Sequence, residues 1–338
     1  MNNKKICILY TGGTIGMAPT KKGFAPEKGY FYDAISKIED LHDPSMPKWD
    51  MIEFSPLLDS SNIALEQWNQ IGKIIAQNYD KYDGYVVLHG TDTMAYTASA
   101  LSFMLEGLNK PVVITGSQIP LCQLRSDGRD NLVTSMLIAG EGVVNEVCLY
   151  FGGKLLRGNR ATKTSSDGLN AFVSPNYPPL AEAGIDFNYN YAALKKPKEK
   201  TTFRLIEFKQ TPIGVLKVFP GIQFGLFESI MTESLQGIVL ETFGAGNIPS
   251  YSHALLPIIR KAFDHGTIIT VCSQCQQGTV KLGTYETSSA LTDAGAVSGY
   301  NMTTEAAVTK LYYLFTLGLP KEEIKSLMEE NLRGELSK

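Results

Sequence analysis

Ile6-Cys7-Ile8-Leu9-Tyr10-Thr11-Gly12-Gly13-Thr14-Ile15-Gly16 is the stretch that decides how the rest of the chain reads. A short apolar run ending in glycines predicts a buried strand that opens into a tight turn. Gly12, Gly13 and Gly16 let the backbone take left-handed angles and come close to a ligand. Thr11 and Thr14 add hydroxyls among bare backbone N–H groups. In open parallel α/β sheets the carboxyl ends of the strands are where ligands bind, so this turn is the expected floor of a site.

The pattern recurs downstream. Gly84-Tyr85-Val86-Val87-Leu88 predicts a second buried strand, ending in His89-Gly90-Thr91-Asp92-Thr93-Met94 and a helix to about Gly107. Pro111 to Thr115 is a third, followed by Gly116-Ser117-Gln118; Val147 to Phe151 is a fourth, followed by the basic loop Arg157-Gly158-Asn159-Arg160-Ala161-Thr162-Lys163. Between the first two strands, Ala18 to Tyr32 reads as a mobile loop and natural lid, and a short strand is expected within Pro47 to Phe54. Asp59-Ser60-Ser61-Asn62 precedes a helix with Trp68, Ile71, Ile75 and Tyr79 on one face; its polar groups either cap that helix or meet a ligand.

Strands alternating with helices predict a mostly parallel sheet covered on both faces. A chain of 338 residues exceeds one ordinary core. The expected organisation is therefore two α/β domains: a larger N-terminal one at 1–190, a lysine-rich linker at 191–212 and a smaller C-terminal one at 213–338. Within the latter, helices are expected at Tyr251 to Asp264 and Thr303 to Leu317, and Pro320 as the first residue of a last helix.

Composition narrows the function. A net charge of -3 offers no footprint for nucleic acid or an anionic membrane. No run reaches transmembrane length and none before the first turn suits a signal-peptide core, so a cytoplasmic protein is expected. Cys7, Cys122, Cys148, Cys272 and Cys275 form no disulfide framework; Cys272-Ser273-Gln274-Cys275 has redox spacing but reads as strand-end thiols. The four histidines show no metal-ligand spacing, so no metal and no cofactor are expected. Gly244-Ala245-Gly246-Asn247-Ile248-Pro249 puts proline where a dinucleotide turn needs its third glycine. A phosphate loop, a Gly-x-Ser-x-Gly elbow and a zinc helix are also missing.

What remains is two strand ends that each present threonines among glycines, with Asp92 beside the second. A threonine hydroxyl is a weak nucleophile that needs a base, and Asp92 with Lys163 can form a proton relay. Singly, Thr14 and Thr91 equally suit turn capping, and Lys163 suits a solvated surface.

Thr11-Gly12-Gly13-Thr14-Ile15-Gly16 and His89-Gly90-Thr91-Asp92-Thr93-Met94, with Lys163 in Ala161-Thr162-Lys163-Thr164, resemble the paired signatures of bacterial-type L-asparaginases. The resemblance spans essentially the whole chain and is closest to the cytoplasmic type I branch. It implies hydrolysis of L-asparagine to L-aspartate and ammonia without a cofactor. Thr14 would attack the amide carbon and form an acyl-enzyme; Thr91, Asp92 and Lys163 would form the relay. Asp59, Ser60 and Ser61, with Thr91 and Asp92, would grip the substrate, and backbone N–H groups near Gly13 and Thr91 would form the oxyanion hole. A homodimer or homotetramer is implied, with Asn247 and Glu286 as groups lent by a neighbour.

Two positions depart from the family. Phe24 stands where a lid tyrosine is usual, leaving Tyr30 or Tyr32 as substitutes, a role for the ring alone, or a slower enzyme. Glu241 stands where an arginine helps hold a regulatory asparagine, together with the loop at Ser273, Gln274 and Cys275, so allostery is expected to be weak or absent. Alternatives are a broader asparaginase–glutaminase, the amidase subunit of a tRNA-dependent amidotransferase and a catalytically weak amino-acid sensor. The first motif begins at Thr11, too early for the extra N-terminal module of the amidotransferase.

Overall fold

The structure, a computed structural model, describes residues 4–196, 202–249, 255–283 and 286–338, the side chains of 286–288 excepted. The chain divides into two units, Met1–Ile206 and Glu207–Lys338.

The first unit runs β1 (Lys5–Gly12), β2 (Met17–Thr20), β3 (Gly23–Pro26), α1 (Tyr30–Ile35), β4 (Lys48–Leu58), α2 (Leu65–Gln77), β5 (Gly84–Leu88) and α3 (Met94–Met104). It continues with β6 (Leu105–Glu106), β7 (Val112–Thr115), α4 (Gly128–Glu141), β8 (Val147–Phe151), β9 (Lys154–Arg157), β10 (Thr162–Lys163), β11 (Phe172–Val173), β12 (Ala181–Ala183), β13 (Phe187–Tyr189) and β14 (Arg204–Leu205). Among the described residues its main sheet has eight strands, ordered β13-β12-β9-β8-β7-β5-β1-β4. The five from β4 to β8 are parallel, and β9, β12 and β13 extend the sheet antiparallel.

The strand order explains where a ligand can sit. From β1 the chain crosses to β4 on one side; from β5 it crosses to β7 on the other. Loops leaving neighbouring strands in opposite directions open a crevice at their carboxyl ends. The two threonine-bearing turns leave those two strands. Ile6, Ile8, Val86, Val113 and Cys148 are sealed from solvent in the core beneath them. Burying each aliphatic chain of this kind contributes about 1.5–3 kcal/mol, which makes the site's floor rigid.

Several details differ from the sequence reading. The segment expected as a mobile loop is a hairpin, β2 paired antiparallel with β3, followed by α1. The strand expected within Pro47 to Phe54 runs on to Leu58, pairing with β1 in register from Lys48 to Glu53 and again, past a bulge, at Leu58. Asp59 caps only the single turn Ser60–Asn62, accepting from the Ser61 N–H at 3.0 Å. α2 starts later, where the Gln67 side chain accepts from the Ala64 N–H at 2.9 Å. Tyr79 lies beyond that helix, stacked on Phe203 at 3.7 Å between ring centres.

The second unit carries β15 (Ile213–Lys217), β16 (Gly237–Thr242), α5 (Leu255–Asp264), β17 (Ile268–Ser273), α6 (Glu286–Asp293), β18 (Val297–Ser298), α7 (Thr304–Thr316) and α8 (Lys321–Met328). Its sheet, β15-β16-β17-β18, is parallel throughout. Tyr251 to Ala254, expected to open α5, lie outside the described residues. Pro320 is the cap of α8 rather than its first residue. Lys310 and Glu335 form an ion pair at 2.7 Å with both side chains fully buried. Lys310 Nζ also donates to the Met328 carbonyl at 3.0 Å, and Glu335 accepts from the Leu332 N–H at 3.0 Å. The chain's end is thereby tied to α7.

Candidate active site

Gly13 has a φ of 85°, and a Cβ there would fall 2.5 Å from the Gly90 nitrogen. A Cβ on Gly90 would fall 2.5 Å from Ser60 Oγ. Three segments therefore meet closely: the turn after β1 lies backbone to backbone on the turn after β5, and the Ser60 side chain lies against Gly90. Thr93 Oγ donates to the Ser60 carbonyl at 2.7 Å and fastens the last two together. Thr14 heads a 3-10 turn, Thr14–Gly16, half-buried and one residue from the Gly13–Gly90 contact.

Lys163 arrives from far along the chain. β10 pairs Lys163 with Phe172 of β11, and Lys163 Nζ donates to Thr91 Oγ at 2.9 Å and to Asp92 Oδ1 at 2.8 Å. The lysine side chain is 19% exposed and the carboxylate 65%. A cation is thus held against a hydroxyl, with its counter-ion at the mouth. Thr91 Oγ in turn donates to Gln118 Oε1 at 3.2 Å. Since the hydroxyl has one proton to give, its lone pairs face the lysine.

Gln118 is a site residue that the sequence reading passed over. Its amide Nε2 donates to the Gly168 carbonyl at 3.1 Å, and its backbone N–H is held by both Asp127 oxygens at 3.1 Å. The available signal was its place directly after β7, the strand next to β5. Asp59, Ser60 and Ser61 follow the end of β4, with Ser60 buried against Gly90 and Asp59 engaged with its own turn.

Phe24 is exposed on β3, opposite Pro19. Tyr30 opens α1, where burial and the neighbouring Cys122 thiol raise the pKa of its hydroxyl, and the Tyr32 ring packs edge-on against Trp49 at 6.0 Å. In the second unit Asn247 closes a turn after β16 with two backbone bonds to Phe243, while the Glu286 side chain lies outside the described residues. Glu241 Oε1 accepts from Thr304 Oγ at 2.5 Å, and Gln274 Nε2 donates to the Glu241 carbonyl at 2.9 Å. The carboxylate at the position of the expected arginine is therefore already engaged.

Behind the second turn His89 is wholly buried, with Nδ1 2.6 Å from the Gly90 carbonyl and Nε2 2.8 Å from Thr97 Oγ. Burial pushes its pKa down to about 4 from an ordinary 6.5. A lowered folded value means that this group's contribution is intact above about 6.5 and lost as pH falls toward about 4, a loss of about 3 kcal/mol. Melting curves recorded down this range are expected to show a falling Tm that flattens in His89→Asn; an equal fall in both proteins contradicts it.

Cys122 and Cys275 are exposed, whereas Cys7, Cys148 and Cys272 are buried. Burial raises the Cys272 thiol to about 12, leaving no reactive pair with Cys275. An aromatic disulfide reagent should therefore titrate two thiols quickly in the native protein and the other three only on unfolding. A fast third equivalent contradicts this. Among the described residues no group of three His, Cys, Asp or Glu side chains is placed to hold a metal, and no helix is long and apolar enough to cross a membrane.

Comparison with known proteins adds independent findings. Residues 5–195 match the family model "Asparaginase, N-terminal" and residues 212–328 match "Glutaminase/Asparaginase C-terminal domain". L-asparaginase 1 of Escherichia coli K12 is 44% identical over 337 residues, covering 100% of this chain and 99% of that protein. The 60 kDa lysophospholipase of Mus musculus is 41% identical, covering 99% of this chain and 63% of that longer protein. Among solved structures, L-asparaginase I of Vibrio cholerae superposes with a TM-score of 0.92 at 44% identity, covering 99% of each chain.

Proposed function

The chain belongs to the asparaginase family, and from that premise we infer that it hydrolyses L-asparagine to L-aspartate and ammonia. The observation that carries the reading is Lys163 Nζ at 2.9 Å from Thr91 Oγ and 2.8 Å from Asp92 Oδ1. A cation, a hydroxyl and a carboxylate at the mouth of a polar crevice suit a free amino acid, which brings both charges itself. Asp92 takes the ammonium group, while Ser60, Ser61 and nearby backbone N–H groups take the α-carboxylate.

In the proposed mechanism Thr14 Oγ attacks the side-chain amide carbon while its proton passes to Thr91 Oγ, the Thr91 proton to Lys163 Nζ and one from Lys163 to the Asp92 carboxylate, which holds the net proton until ammonia leaves. Backbone N–H groups beside Gly13 and Thr91 stabilise the oxyanion, each such donor being worth about 10²–10³ in rate. The C–N bond breaks, the relay returns a proton to the departing ammonia, and water cleaves the resulting aspartyl ester. Atoms balance as asparagine plus water to aspartate plus ammonia. The exposed Phe24 ring can cover the site but cannot move a proton, which leaves Tyr30 or Tyr32 as the phenol a lid could supply.

A homodimer or homotetramer, a cytoplasmic location and the absence of a regulatory asparagine site are parts of the same proposal. Five unpaired cysteines suit a reducing compartment. Glutamine, one methylene longer, is the second reading, because such discrimination is worth only about 1–3 kcal/mol. The deciding experiment measures ammonia release from each amide by the purified protein. Hydrolysis of asparagine with a hyperbolic rate curve is expected. No release from either amide would leave an amino-acid sensor; equal release from both would make the enzyme the broader kind.

A further inference from the structure

We propose that His89 is a positioning residue that sets the Gly90–Thr91 peptide plane, and with it the direction of the Thr91 N–H. The inference deepens the reading of the site as an amide hydrolase and rests on it. For a neutral ring the geometry leaves one assignment of protons. The Gly90 carbonyl can only accept, so the ring nitrogen 2.6 Å from it, Nδ1, carries the hydrogen. A neutral ring then has a bare Nε2, which accepts from Thr97 Oγ at 2.8 Å. The indole of Trp68 can only donate, and its Nε1 gives its hydrogen to Thr97 Oγ at 3.0 Å. Donors thus run in one direction, from α2 through α3 to the turn after β5.

This chain acts on the one freedom the turn retains. The His89 N–H is fixed on the Thr115 carbonyl at 2.9 Å, and Gly90 is wedged against Gly13 and Ser60. A peptide between fixed neighbours can still rotate about its flanking bonds. The ring holds the Gly90 oxygen on its own side, and because a trans peptide is planar, the Thr91 N–H points the opposite way. Thr91 also carries the hydroxyl on Lys163. Losing the ring's grip therefore misaligns an oxyanion donor and the relay's first hydroxyl together.

Asparagine and glutamine side chains separate this role from mere space filling. An asparagine amide occupies the level of Nδ1 and can still donate to the Gly90 carbonyl, whereas a glutamine amide reaches only the level of Nε2. His89→Gln is expected to lower kcat for asparagine about 10²-fold with KM within about threefold, and His89→Asn to recover most of that loss. Equal kcat in the two variants, or losses that follow the folded fraction alone, would overturn the proposal.

A second measurement needs no variant. With only four histidines, ¹⁵N-histidine labelling of the wild-type protein gives a simple ring spectrum. His89 is expected as the neutral Nδ1–H tautomer near neutral pH; an Nε2–H tautomer overturns the proposal even if neither variant folds. An inactive wild type showing the Nδ1–H tautomer would instead sink the functional reading and leave the proton assignment standing.

Discussion

Lys163→Met is expected to lower kcat for asparagine by about 10²–10⁴-fold while leaving Tm within a few degrees. Methionine keeps the apolar stem and removes the ammonium, so both the bond to Thr91 Oγ and the bond to Asp92 Oδ1 disappear. The cost in stability is small because the freed carboxylate is 65% exposed and returns to water. Exposed pairs of this kind are worth about 0–1 kcal/mol. Activity should therefore collapse in a protein that melts almost normally. Lys163→Arg should rescue little, since a planar fork cannot place one nitrogen on the hydroxyl and the carboxylate as a compact ammonium does. Steady-state ammonia release with parallel melts reads both quantities. A kcat within tenfold of wild type would remove the lysine from the relay.

The second large effect lies in the other unit and is one of stability. Lys310→Met leaves Glu335 fully buried without its cation, and removing one partner of a buried pair costs about 3–5 kcal/mol. The Leu332 and Arg333 N–H groups still hold the carboxylate, which places the loss toward the lower end. Adding Glu335→Leu should restore most of it, because an apolar pair of similar volume avoids both desolvation costs. Urea titrations of the single and double variants test this. A double variant no more stable than Lys310→Met would show that the chain's end is held by something other than charge balance.

These two lysines also show how far the sequence was legible. Lys163 could be found because it lies in a string of polar residues after a strand and matches a family position, yet its contact with Thr91 depends on the pairing of β10 with β11. Lys310 gave no signal: within Thr309-Lys310-Leu311 it reads as a solvated position on an amphipathic helix, and only the returning C-terminal segment covers it. The parallel strands and their turns were readable because a buried strand needs a continuous apolar run. The antiparallel extension through β9, β12 and β13 is short and lacks such a run.

Polar partnerships were the least legible part. Asp59, Ser60 and Ser61 were singled out for their chemistry, but that Asp59 would cap a single turn, and that α2 would start from Ala64 and Gln67, depends on local geometry no spacing dictates. Gln118, Thr97 and Trp68 join the site through bonds spanning 27, 8 and 29 residues. Each side chain taken alone is consistent with a turn, a helix interior or a core position. The exchange of the lid tyrosine for Phe24 was visible at once, whereas the packing of Tyr32 against Trp49 needed coordinates.

The central claim is that the turn after β1 supplies the nucleophile to chemistry organised by the turn after β5. Acid quenching during turnover of asparagine, followed by peptide mass analysis, tests it most directly. The peptide containing Thr14 should carry the added mass of an aspartyl ester, absent when Thr14→Ala is treated alike. An ester found on the Thr91 peptide instead, or undiminished turnover by Thr14→Ala, would contradict the account.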